Sequence, residues 1–147
     1  MAVLSGGQNV ERYFRDLAQK VRRGGTLEVG FMSSATYPDG TSVALVAALN
    51  EFGTSRAPPR PFFRNMISQK SSGWGPAAGK LLVANNYDVR TTLALVGEGI
   101  KGQLQQSIAS NTPPPNAPST IARKRHSRTL IDTGQMLNSV TYRVVMR

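Results

Sequence analysis

Val140-Thr-Tyr-Arg-Val-Val-Met146 closes the chain with Val140, Tyr142, Val144 and Met146 alternating against Thr141, Arg143 and Val145. An apolar period of two predicts a half-buried strand. One other segment reads the same way: in Thr26-Leu-Glu-Val-Gly-Phe-Met32, Leu27, Val29 and Phe31 alternate with Thr26, Glu28 and Gly30. A strand near each end, with helical patterning between, predicts an α+β fold. Its small antiparallel sheet is built from the N- and C-terminal strands and packs against several helices, and a long extended loop or arm is added to that body.

Working inward from the strands, the first helix is expected from about Val10 to Arg23. Val10, Tyr13, Phe14, Leu17, Ala18 and Val21 form one apolar face, Asn9 is placed as N-cap, and Gly24-Gly25 stop the helix. Pro38-Asp39-Gly40 is a turn. Thr41 or Ser42 then caps a second helix through about Phe52, which Gly53 ends. Residues 53–61 hold Pro58, Pro59 and Pro61 and are irregular, until Pro61 opens a helix carrying Phe62, Phe63, Met66 and Ile67. Small residues and Trp74 mark a break over 71–79, followed by a helix from Ala77 to Asn85. Asp88 caps a longer one to about Ser110, striped by Leu93, Val96, Ile100, Leu104 and Ile108. Residues 111–128 contain Pro113-Pro-Pro115, Pro118 and a basic run without apolar periodicity, and read as a flexible arm. Asp132-Thr-Gly-Gln begins a short helix to about Ser139.

Composition narrows the function. The 147 residues suit one domain over 1–147. There is no Cys and one His, so thiolate and multi-His metal sites are excluded and no cofactor is expected. The longest apolar run, Val43 to Leu49, falls far short of the roughly 20 residues that span a bilayer, and no secretory signal opens the chain. A soluble protein of a reducing compartment, with no membrane partner, is therefore expected. Eighteen Lys and Arg against eight Asp and Glu give a net charge of +10. Half of it lies in residues 121–147, where Arg123, Lys124, Arg125, Arg128, Arg143 and Arg147 face one acid, Asp132. Such a balance attracts nucleic acid or an acidic protein surface.

Candidate motifs divide unevenly. Gly97-Glu-Gly-Ile-Lys-Gly102 fits a dinucleotide-binding pattern, but the helical stripe runs through it and no acid follows at about 20 residues. Close helix packing explains those glycines better. His126 lies among Arg123, Lys124, Arg125 and Arg128, without the orienting carboxylate a general base needs. The carboxylates are dispersed, with no pair at i, i+3 or i+4, so no enzyme is expected. Phe62, Phe63, Met66 and Trp74 can serve as a stacking platform for bases or as core, and core suits their helical spacing. The run Arg123 to Arg128 is the strongest interaction candidate, for phosphates or for an acidic neighbour.

Two ordered motif pairs resemble a known family. Asn50-Glu-Phe-Gly-Thr54 with Pro59-Arg-Pro-Phe-Phe-Arg64, and Thr120-Ile-Ala-Arg-Lys124 with Leu130-Ile-Asp-Thr-Gly-Gln-Met-Leu-Asn-Ser-Val140, resemble signatures of the tail-completion and minor tail (neck) proteins of long-tailed bacteriophages. Arg125 stands where Gly is common and Thr129 where Pro is usual. The fold-setting roles expected of these residues are physical. Phe52 anchors a helix end and Gly53 takes the left-handed conformation; Glu51 belongs to the same motif. Pro61 restarts a helix, and Asp132 or Thr133 caps the short helix before Gly134 and Gln135, with Gln135 completing a capping box if Asp132 is the cap.

The resemblance implies a virion protein that assembles in the host cytoplasm as a homo-oligomeric ring, read as a hexamer, at the head-proximal end of the tail. It would join the tail to the head connector, touch the tail terminator or tail tube proteins, and let double-stranded DNA pass. Interface residues would come from the arm (Arg123, Lys124, Arg125, His126, Arg128) and the proline-rich loop (Arg56, Arg60, Phe62). A terminator or other neck-ring component is the alternative, and a basic nucleic-acid-binding module the second.

Overall fold

The computed structural model describes residues 7–110, 112–132 and 134–147. Its elements run α1 (Gly7–Arg22), β1 (Gly25–Phe31), α2 (Val43–Phe52), α3 (Phe62–Lys70), a 3₁₀ turn (Ser71–Gly73), α4 (Trp74–Ala84), α5 (Val89–Ala109), α6 (Pro118–Lys124), α7 (Gln135–Asn138) and β2 (Val140–Met146). The fold is α+β. β1 and β2 pair antiparallel from Gly25↔Met146 to Phe31↔Val140, so the two ends of the described chain make one ribbon. Glu28 faces Arg143 across it, and the two form an exposed ion pair.

α5 organises the core. Asp88 caps it by accepting from the Thr91 backbone N–H at 3.0 Å, and that bond holds the Asp88 carboxyl below its usual range. Ile100, Leu104 and Ile108 on α5 are buried with Val43, Ala47, Phe62 and Met66 of α2 and α3. Leu130, Ile131, Met136 and Val140 close the same core from the C-terminal side. On its other side α5 meets the ribbon at Gly97, where an added Cβ would stand 2.6 Å from the Tyr142 ring and 2.9 Å from Leu27 Cδ1. Gly97 is thus the close-packing glycine, whereas Gly99 and Gly102 have open space where a Cβ would go. Trp74 packs on the core, with its indole N–H donating to Gln103 Oε1 at 2.8 Å.

Several boundaries differ from expectation. α1 begins at Gly7, so Asn9 lies inside it rather than capping it. α4 starts at Trp74 after a single 3₁₀ turn, because small residues there tighten the helix path without breaking it. α7 starts at Gln135 with Gly134 as its N-cap at φ 85°, which displaces Asp132 from the cap and leaves the capping box unmade. The alternative cap, Thr133, lies outside the described residues. The 111–128 segment is not extended throughout, since Pro118 at the helix start nucleates α6; Asn111 lies outside the described residues. α1 forms as the apolar spacing predicts, yet none of its residues is buried.

The glycines of α5 supply a stability test. Gly97→Ala is expected to cost about 1–3 kcal/mol by overpacking against Tyr142. Gly99→Ala and Gly102→Ala are expected to stabilise by up to about 1 kcal/mol, through helix propensity alone. Urea denaturation of the three variants decides it, and equal effects at all three would contradict this packing.

Candidate functional site

The two motif pairs converge on one place, the proline loop and the arm beside it. Glu51 falls on the buried stripe of α2, four residues beyond Ala47 and eight beyond Val43, and is only 5% exposed. A carboxylate so buried must be paired or hydrogen-bonded. Its oxygens accept from the backbone N–H groups of Phe63 (2.9 Å) and Arg64 (3.1 Å), the first turn of α3. Arg64 Nε donates to Glu51 Oε1 at 2.7 Å, and a second guanidinium nitrogen donates to the Glu51 carbonyl. Glu51 therefore caps α3 from another helix and places negative charge at the positive end of its dipole. Pro61 itself makes no side-chain cap, being the flanking residue before Phe62.

Gly53 turns the chain at φ 75°, and an added Cβ would lie 2.7 Å from Pro59 N. Only glycine fits both requirements. Phe52 is not the apolar anchor expected of it: the ring is 67% exposed, with the Arg64 guanidinium 5.1 Å above it. The helical turn that buries Glu51 carries the next residue outward.

Arg60 and Phe62 are corrected too. Phe62 is fully buried in the core, since the restart of the helix at Pro61 aims it inward. Arg60 is 7% exposed; its Nε donates to the Pro114 carbonyl at 2.8 Å and a terminal nitrogen to Pro115 at 3.2 Å. Its own backbone N–H donates to the Asn50 carbonyl. Arg60 is therefore the pin between the proline loop and the arm, not a contact for another molecule. Arg56 is exposed at the loop tip, where Thr54 Oγ1 accepts from its backbone N–H.

The arm's charges separate into two groups. Arg123 donates to Asp132 at 3.0 Å. Lys124 Nζ donates to the carbonyls of Arg128 and Thr129. Burial lowers the Lys124 pKa, the Arg123 and Arg60 cations add to that, and Asp132 opposes it. His126 accepts from the Arg128 backbone N–H at Nδ1 and closes the turn after α6. Arg125 ends α6 in the left-handed conformation at φ 66°. The side chains of Arg125 and Arg128 face solvent. Below α6 lies a cleft of about 280 Å³ whose lining includes Tyr37, Lys124, Asp132 and Gln135. Burial, with the Asp132 charge, raises the Tyr37 pKa.

Chemically this is a joint: buried ions hold three segments together, and two arginines and an exposed ring project from it. Among the described residues, no three His, Asp or Glu side chains group to hold a metal ion, and no helix is long and apolar enough to cross a membrane. No protein-family model matches the chain, and neither a curated protein nor a solved structure matches it.

Capping by Glu51 predicts an asymmetry. Glu51→Ala is expected to cost about 2 kcal/mol, because two helix N–H groups lose their acceptor. Arg64→Ala is expected to cost less than about 1 kcal/mol, because Arg64 is largely in water. Equal losses in chemical denaturation would show the ion pair, not the cap, to be the operative contact.

Proposed function

We propose that the chain is a structural virion protein of a long-tailed phage or prophage. It forms a homo-oligomeric ring at the head-proximal end of the tail, completes the tail, and joins it to the head connector around a DNA channel. The observation that carries this reading is the ordered pair of motifs that resemble tail-completion proteins, Asn50–Thr54 with Pro59–Arg64 and Thr120–Lys124 with Leu130–Val140. The joint supports it, because residues of both motif pairs hold the same loop and arm in place: Glu51 and Arg60 from the first, Lys124 and Asp132 from the second. Those roles are architectural, and the reading assigns the chain no reaction and no cofactor. The exposed apolar side chains of α1 and α2 suit a protein that is completed by assembly.

Arg125 and Arg128, outward on the arm, are the residues offered to an acidic neighbour or to the DNA in the channel. A neck-ring role other than completion, such as tail terminator, fits the same features. The net charge of +10 favours one further reading, a basic nucleic-acid-binding module.

Particles separate these readings. In virions of the encoding phage the protein is expected at the head–tail junction in a fixed small number, and its deletion is expected to leave separate heads and tails. Complete infectious particles without it would overturn the proposal. A nucleic-acid module instead predicts tight binding of the isolated chain to duplex DNA, with log affinity falling linearly with log salt and lost in the Arg125→Glu, Arg128→Glu variant.

A further inference from the structure

α1 is a helix with an uncovered apolar face. Val10, Tyr13, Phe14, Leu17 and Val21 recur along one side, with Val10 and Tyr13 54% exposed and Phe14 64%. Sixteen residues are marginal as an isolated helix in water, so a covered face would stabilise it. Its own body offers little cover. Lys20 Nζ donates to the Asn86 carbonyl at 3.3 Å, and the chain passes through Arg23 and Gly24 into β1 at the Gly25↔Met146 end of the ribbon.

The opposite end of the ribbon carries a matching surface. Where Phe31 pairs with Val140, an apolar groove of about 280 Å³ opens between α2 and α3. Ala44 and Ala48 form its floor, Phe31, Phe52 and Phe63 its walls, and Arg64 its rim. Exposed Leu45 and Leu49 extend the apolar surface of α2 beside it. Small residues between aromatic walls suit an amphipathic helix laid into a groove.

Seven paired positions, about 20 Å of strand, separate the attachment of α1 from this groove. A surface and its complement at opposite ends of one chain join copies head to tail, the geometry that closes into rings. Charge agrees with the pairing, since α1 carries Glu11 and Asp16 beside its apolar face and the groove rim is cationic at Arg64. Area favours closure over a dimer. The exposed parts of two aromatic rings and their aliphatic neighbours amount to roughly 400 Å² per side, half the ~800 Å² per partner of a standard interface. A protomer that uses both ends in a closed ring reaches that standard.

We propose that α1 of one copy seats in the α2–α3 groove of the next copy. The inference rests on the reading of the chain as a self-assembling ring, and it names the surfaces that join the copies. Because the copies are all strongly cationic, added salt strengthens the assembly by screening their repulsion.

The absence of cysteine makes the contact directly testable in the full chain. Under oxidation, Phe14→Cys protein mixed with Ala48→Cys protein is expected to give a disulfide-linked pair, and the double variant a ladder of multimers. Gly99→Cys, on the open side of α5, is expected to link to neither. In sedimentation, Phe14→Glu with Leu17→Glu is expected to raise the concentration for half-assembly more than tenfold, with circular dichroism and melting temperature unchanged. If that folded variant assembles like the parent, or Gly99→Cys links as readily, this contact is wrong while a ring built otherwise survives. A parent chain that stays monomeric but is found at the head–tail junction also overturns the contact alone. A monomeric parent that binds anionic vesicles through Phe14 and Leu17 overturns it in favour of a lipid surface; a monomeric parent absent from virions overturns the ring reading too.

Discussion

Two charges bracket the proline loop in the protein interior, and satisfying both decides what lies on either side of it. Glu51 enters from α2 and Arg60 leaves toward α3, each almost fully buried. A buried ion without hydrogen-bond partners costs several kcal/mol, so each must be met by a neighbouring segment. Glu51 is met by the backbone N–H groups that begin α3. Arg60 is met by the carbonyls of Pro114 and Pro115, the first part of the arm. The loop between them is shaped by Gly53 and three prolines, so its ends are held at fixed spacing.

Much of the arm's electrostatics follows from that pin. Arg60 brings a cation beneath α6, and Lys124 adds another, solvated by carbonyls rather than paired with an acid. Asp132 is the one carboxylate near them and binds Arg123. The basic run therefore divides into charges spent on holding the arm and charges, Arg125 and Arg128, left facing outward. The net charge of the chain is less a single patch than a structural requirement with a small exposed remainder.

Local chemistry made the regular elements legible in the sequence. The period of two in β1 and β2, Ser42 and Asp88 as caps, and the stripe from Ile100 to Ile108 each depend on residues within one turn or one strand. What escaped depends on distant partners. Arg60 bonds main-chain carbonyls 54 and 55 residues away, and a proline carbonyl leaves no mark in a side-chain pattern. Glu51 had a readable signal, its place on the Val43–Ala47 stripe, which the exposed Phe52 beside it obscured. α6 had one as well, in Pro118 followed by helix formers, masked by the surrounding prolines. For α1 the periodicity identified a face correctly but could not say what covers it.

The central claim is that Arg60 holds the arm in place, and amide hydrogen exchange in an Arg60→Gln variant tests it most directly. The account predicts that amides of α6 lose protection while those of α5 keep theirs, because α6 is joined to the body through this pin and α5 through the core. Unchanged protection across α6 would contradict it, and would mean that the arm is held by its own packing on Leu130 and Ile131.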